Sequence, residues 1–167
     1  MIAALRDATP DDLPAIVAIY NSTVPSRLVT ADLEPVSVES RRAWFDAHGP
    51  ATRPLWVVDD DAGRVLAWLS FSDFYGRPAY RHTSEVSIYL AEAARGQGLG
   101  RRLLAAALDA APGLDIHTVL GFVFGHNEPS MRLFRSFGFD AWGTLPRVAV
   151  LDGVERDLVI LGKRLAA

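Results

Sequence analysis

Apolar residues recur along this chain with two different periods, and the switches between them mark out its elements. In the run Glu-Val-Ser-Ile-Tyr-Leu, Glu85, Ser87 and Tyr89 alternate with Val86, Ile88 and Leu90, so a strand here carries three polar or aromatic side chains on one face and three apolar ones on the other. From Leu99 the period lengthens. Leu99, Leu103, Leu104, Ala107, Leu108 and Ala111 repeat at helical spacing, leaving Arg101, Arg102 and Asp109 to face solvent. Upstream, residues 3–6 can start a strand, and Thr9-Pro10-Asp11-Asp12 signals a helix whose stripe is Leu13, Ile16, Val17, Tyr20 and Val24. An irregular connection over 25–35 leads to a second helix, expected from Ser37, with Trp44 and Phe45 on its buried side and Gly49-Pro50 as its stop. Strand runs at 55–58 and 65–74 flank an acidic, glycine-containing turn and read as a hairpin. Downstream, Pro112-Gly113 breaks the helix, 118–124 forms a buried strand, Pro129-Ser130 open a helix that Gly138 closes, and 142–150 with 157–164 make a last hairpin. The order β-α-α-β-β-β-α-β-α-β-β predicts an α+β fold with a mixed central sheet, and nothing splits residues 1–167 into more than one domain.

Composition narrows the classes. With 167 residues, 50% hydrophobic and 22% charged, the chain can bury a single sizeable core. No apolar run approaches the roughly 18 residues of a membrane span, and the N-terminus lacks a basic segment followed by a long apolar one. A net charge of −3 argues against nucleic acid as the main partner. Cysteine is absent, which removes disulfides, thiolate metal sites and a cysteine nucleophile, and accords with a cytoplasmic location.

Between the strand and its helix stand glycines at alternate positions, Gly96, Gly98 and Gly100, in a turn whose backbone N–H groups can close around an anion at a helix N-terminus. A mononucleotide loop needs Lys and then Ser or Thr after its last glycine, but Arg101 and Arg102 follow Gly100. The dinucleotide fingerprint needs two residues between its second and third glycines, and only Leu99 lies there. The run Arg95-Gly96-Gln97-Gly98-Leu99-Gly100 instead resembles the Arg/Gln-x-x-Gly-x-Gly pyrophosphate signature of the GNAT family of N-acetyltransferases. A second stretch, Asn127-Glu128-Pro129-Ser130-Met131-Arg132-Leu133-Phe134 followed by Gly138-Phe139, resembles that family's other signature. Two signatures in this order are far more specific than one.

The resemblance covers nearly the whole chain and implies a GNAT fold, about seven strands flanked by about four helices, with acetyl-CoA as cosubstrate and no metal. Within the family, Arg77, Tyr80, Arg81, Thr83 and Glu85 are similar to the branch that acetylates phosphinothricin and methionine sulfoximine. On this resemblance the backbone of Ile88, Tyr89 and Leu90 pairs with the pantetheine arm, Arg95, Gly96, Gln97, Gly98, Leu99, Gly100 and Arg101 hold the pyrophosphate, and Asn127 and Ser130 lie beside the arm. It also implies a homodimer. Tyr20, Asn21 and Glu34 fall in the segment that usually lines the acceptor site, or are structural.

Amide formation from a thioester needs a neutral amine. A carboxylate in a half-buried strand is costly without a task, so Glu85 is the candidate general base, its other reading being a salt bridge to Arg81 or Arg77. Arg77 and Arg81 beside Tyr80 are expected to take a tetrahedral, anionic or strongly polar side group of an amino-acid substrate, or else are solvated surface arginines. Phe134 stands where many relatives place a tyrosine or histidine, so a side-chain proton donor to the departing sulfur is missing and Phe134 is expected to pack along the cofactor arm. The four histidines, His48, His82, His117 and His126, show no metal-binding spacing, and Asp59-Asp60-Asp61 read as a solvated turn. Two other functions remain open: acetylation of protein N-termini, and cofactor sensing without catalysis.

Overall fold

The computed structural model describes residues 4–166. Its strands are β1 (Ala4–Asp7), β2 (Leu55–Asp59), β3 (Val65–Asp73), β4 (Thr83–Leu90), β5 (Thr118–Phe124), β6 (Asp140–Leu151) and β7 (Val154–Arg164), and its helices α1 (Leu13–Thr23), α2 (Arg42–Asp46), α3 (Leu99–Ala110) and α4 (Glu128–Ser136). The seven strands form one sheet in the order β1-β2-β3-β4-β5-β7-β6. Every neighbouring pair is antiparallel except β4 and β5, which are parallel because α3 carries the chain across between them. The α+β architecture is the one expected.

Both periods read from the sequence are used to cover the sheet. On one face Ile16 and Ile19 of α1 bury against Leu55, Val57 and Trp68, with Trp44 and Phe45 of α2 packed beside them. The Trp68 indole N–H donates to the Ile16 carbonyl at 3.1 Å, tying α1 down to β3. On the other face Leu99, Leu103, Leu104 and Ala107 of α3 and Met131 and Phe134 of α4 close over Val58, Ala67, Leu69, Phe71, Val86, Val119 and Val123. Burying each large apolar side chain contributes about 1.5–3 kcal/mol, so α3 is held by its apolar stripe far more than by its own helical propensity.

Two boundaries differ from expectation. The second helix begins as a 3₁₀ turn, Glu39–Arg41, and α2 has five residues. The Ser37 hydroxyl does accept the Ser40 N–H at 3.1 Å, but the tight turn that follows uses up the first half of the expected helix. The first helix likewise opens with a 3₁₀ turn, Pro10–Asp12, braced by the Thr9 N–H on Asp12 Oδ2 at 2.7 Å. In the β2–β3 hairpin the Asp60 carboxylate accepts from the backbone of Ala62 and Arg64, which makes it a turn-former.

The feature that positions everything else is a parting of strands. β4 pairs with β3 from Ser84 to Leu90, but with β5 only over Thr83↔Thr118, Ser84↔Val119 and Glu85↔Leu120. Beyond Glu85 the two strands diverge. The Ala91 N–H donates to the Leu66 carbonyl at 2.8 Å, and the strict alternation of an antiparallel ladder then turns the backbone groups of Glu85, Ser87 and Tyr89 to β3 and those of Val86, Ile88 and Leu90 to the other side, where Ile88 and Leu90 lie beyond the last pairing with β5 and face the opening.

Candidate functional site

Two hollows meet at β4 where it leaves β5. The first, about 260 Å³, lies over Glu85, Ser87 and Tyr89 and is enclosed by Ile16, Val17 and Tyr20 of α1, by Val36, Arg41 and Trp44, and by Trp68, Ser70 and Ser72 of β3. Glu85 is half-buried on its floor. Burial alone pushes its carboxyl above the ordinary carboxylate range, and no charged or hydrogen-bonding neighbour offsets it. No ion pair of Glu85 with Arg77 or Arg81 occurs among the described residues; the charged partners found there lie elsewhere, such as Arg53 with Asp73.

Around Glu85 the aromatic walls are ordered. The Tyr89 ring stacks on Trp68 with centroids 4.4 Å apart and 13° between planes, and lies 5.2 Å from the Tyr20 ring. Burial, and then the neighbouring Tyr20 and Glu85, hold the Tyr89 hydroxyl well above the usual phenol range, so it stays a proton-bearing donor. The Tyr20 hydroxyl is hydrogen-bonded to Thr30 and donates to Asp32. Arg41 lies 4.7 Å over the Tyr20 ring and reaches Asp32 Oδ2 at 3.0 Å. Asn21 is structural, clasping the Val36 backbone with bonds of 2.9 and 2.8 Å.

The second hollow is the opening between β4 and β5. Its inner part is lined by Ile88, Leu90, Gly100, Asn127, Ser130 and Phe134, among others, and its outer part, about 470 Å³, by Leu90, Arg95, Gly96, Asn127 and Ser130 together with the chain after α1. Gly96 and Gly98 have φ of 72° and 77°, and Gly98 is the residue that starts α3, so the turn presents N–H groups where an L side chain would be strained. Asn127 caps α4, accepting the Ser130 N–H at 3.2 Å, and its amide donates to the Leu28 carbonyl at 3.1 Å.

The expected site residues divide into those the fold brings together and those it does not. Glu85, Ile88, Leu90, Arg95, Gly96, Gly100, Asn127, Ser130 and Phe134 all line one of the two hollows. Tyr89 is a correction: its backbone faces β3, opposite Trp68, and its side chain is what reaches the hollows. Leu99 is buried in the core, leaving only its backbone at the turn, and Gln97 donates its amide to Ala93. Arg101 turns to α4, donating to Ser136 at 3.0 Å and lying 4.8 Å over the Phe137 ring. Arg77, Tyr80 and Arg81 are a second correction. A 3₁₀ turn at Pro78–Tyr80 swings them onto a separate outer hollow of about 200 Å³, and Arg53 holds that segment through the Arg81 carbonyl at 2.6 Å. The cation that lines the Glu85 cavity is Arg41, which sequence reasoning missed; its spacing of three before Trp44 put both on one helix face and was the available signal. The histidines lie in loops or at strand ends, where the sequence put them: His48, His82 and His126 each bond a backbone carbonyl, and His82 and His117 both approach the Asp115 carboxylate.

A family model described as "Acetyltransferase (GNAT) family" matches residues 14–139. The chain belongs to the GNAT acetyltransferase family. It is 54% identical over 162 residues to a Bacillus subtilis protein named "Putative phosphinothricin acetyltransferase YwnH", covering 97% of this chain and 99% of that one. It is 36% identical over 161 residues to an L-methionine sulfoximine/L-methionine sulfone acetyltransferase of Pseudomonas paraeruginosa, covering 96% and 94%. The solved structure of a GNAT superfamily phosphinothricin acetyltransferase from Sinorhizobium meliloti in complex with AcCoA superposes with a TM-score of 0.92 at 30% identity, covering 99% of this chain and 90% of that one. The parting of β4 and β5 thus belongs to a GNAT fold, and no helix among the described residues is long and apolar enough to cross a membrane.

Proposed function

We propose that this GNAT enzyme moves an acetyl group directly from acetyl-CoA to the amino group of a small amino acid whose side group bears a tetrahedral phosphorus or sulfur centre, phosphinothricin and methionine sulfoximine being the types, with Glu85 as general base. The observation that carries the reading is Glu85 itself: a half-buried carboxylate without a partner, raised by burial, on the floor of an amino-acid-sized cavity that adjoins the opened strands.

The opening fits the cosubstrate. Ile88 and Leu90 turn backbone groups into it that β5 does not pair, suited to an extended amide-bearing arm, and the Gly96–Gly98 turn at the start of α3 suits a pyrophosphate. When bound, acetyl-CoA supplies an acyl group already activated as a thioester. Glu85 then takes a proton from the acceptor ammonium, directly or through a water. The N–H of Ile88 or Leu90 is available to an acyl oxygen. Phe134 offers no proton, and Ser130 is the hydroxyl on that wall; a thiol of pKa about 8.5 departs as thiolate without much help. Arg41, held by Tyr20 and Asp32, is the guanidinium placed to meet the acceptor's acidic group. The proposal includes a homodimer, as the family resemblance implies, and a cytoplasmic location, with which the absence of cysteine accords.

The test is a screen for CoA release over amino acids, phosphinothricin, methionine sulfoximine, polyamines, aminoglycosides and peptides. Release with the two tetrahedral-centre amino acids above all others is expected. Acetyl-CoA binding with no amine releasing CoA would leave the sensing role, and a preference for peptides would replace the small-substrate reading, which the cavity's volume supports.

A further inference from the structure

At the end of the sheet away from the cofactor opening, three donors converge that catalysis does not use. His82 immediately precedes β4, while Asp115 and His117 precede β5. His82 Nδ1 lies 3.1 Å from Asp115 Oδ2, and His117 Nε2 lies 3.4 Å from Asp115 Oδ1. One ligand-type atom from each of the three falls within 4.8 Å of the others. The two imidazoles stack at 4.4 Å with 3° between planes.

We propose that His82, Asp115 and His117 form a binding site for one divalent transition cation of the zinc class, a clasp between β4 and β5 that is separate from the acetyl-transfer site. Two imidazoles and a carboxylate are the donor set that suits zinc, with water in the fourth position. Bonds of about 2.0 Å in a tetrahedron put neighbouring ligand atoms about 3.3 Å apart; each imidazole lies at about that distance from one Asp115 oxygen, though from a different one, so a shared ion also needs the carboxylate to turn. The frame that carries the donors is fixed by the sheet. The His82 carbonyl accepts both the His117 N–H at 2.8 Å and the Thr118 N–H at 3.1 Å, and Asp115 sits at φ 59° where the turn after α3 ends. Stacked rings cannot both aim a lone pair at one ion, so they must fan apart about their Cβ–Cγ bonds. The exposure of the His117 and Asp115 side chains, 54% and 71%, leaves room for that. The clasp joins β4 to β5 just before the three-residue parallel contact that ends at Glu85, roughly 10 Å along β4 at about 3.3 Å per residue.

The other two histidines do not compete, since among the described residues neither has two further His, Asp or Glu donors within reach of one ion; His82 Nδ1 also lies 3.0 Å from the Asp115 carbonyl, a bond that a metal would replace. Zinc chloride titrated into the tag-free full chain, followed by calorimetry and thermal melting, is therefore expected to show one saturable site per chain. At free zinc about 100-fold above Kd the melting temperature should rise by roughly 5–10 °C. Asp115→Asn, which tolerates the left-handed backbone, and His117→Gln, at an exposed position, should each fold and each weaken zinc binding by at least about 10–100-fold, the loss that even outer-shell partners of a metal cause. Cobalt(II) in place of zinc should give the visible band of a tetrahedral site in the native chain and not in the variants. No saturable binding and no thermal shift in the native chain would overturn the proposal, as would undiminished zinc binding by the Asp115→Asn/His117→Gln double variant.

Discussion

Glu85 illustrates a residue whose role and cost have one cause. Its folded pKa lies above the value near 4.3 of an unfolded chain, because burial disfavours the charge. Folding therefore favours the protonated form. The stability this group contributes is fully present below about pH 4 and is lost as pH rises through its folded value. At neutral pH Glu85→Gln should accordingly melt higher than the native protein, and the gain should vanish in melts run below pH 4. The same substitution should retain acetyl-CoA affinity while turnover falls on the order of 10²-fold or more, measured by steady-state kinetics against direct cofactor titration. Near-native turnover across pH would remove Glu85 as the base. For Arg41→Gln the expected result is a rise in acceptor KM of about tenfold or more with acetyl-CoA KM little changed; equal shifts in both would assign Arg41 to the fold.

At the scale of elements, two close approaches make the opening what it is. A Cβ added to Gly121 of β5 would lie 2.7 Å from Phe134 Cε1, so the ring of α4 rests directly on the bare backbone of the strand, and it meets Phe139 edge-on at 4.9 Å. Phe134 is thus a core residue as well as a wall of the opening, a double use that Phe134→Leu should reveal: substantial turnover retained, cofactor affinity modestly weaker, and stability lowered. Gly121→Ala should cost about 1–3 kcal/mol by overpacking, and the two substitutions together should be non-additive, because the smaller leucine side chain on α4 frees the space that the new methyl on β5 fills, as a double-mutant cycle in denaturant would read. Ser130→Ala should cost less than tenfold in kcat; a collapse with binding intact would show that Ser130 delivers the proton. In the turn before α3, Gly98→Ala forces an L residue to φ 77°, worth about 1–2 kcal/mol and a larger loss of acetyl-CoA affinity, since the N–H groups it aims would turn away.

For the whole molecule, the long edge strand β6 leaves Trp142, Leu145, Val148 and Val150 exposed at 48%, 43%, 56% and 56%. An apolar, unpaired strand edge of twelve residues invites association unless it is covered. The expected homodimer should therefore appear in light scattering as twice the chain mass, and Val150→Lys should lower that mass toward the monomer. A monomer mass for the native chain would remove the dimer.

Local pattern was enough for much of this. The alternation at Glu85–Leu90, the helical stripe after Leu99, the glycine turn between them and the Asn127–Gly138 helix are set by neighbours within a few residues, so each could be read from the chain and each stands where it was expected. Even the face of Glu85 follows from counting by twos. Which side chains share a cavity does not. Arg41 rather than Arg77 or Arg81 shares a cavity with Glu85 because the segment that carries it packs, through Trp44 on Trp68, over β3 while the β3–β4 connection turns outward, a matter of packing between segments some forty residues apart. His82 and His117 met across a parallel pair for the same reason: the α3 crossover, invisible to any local period, aligned the starts of β4 and β5. Elements and their faces were legible in the chain because the interactions that set them reach only a turn or two along it; sheet order and register act between distant segments, and they settled who faces whom.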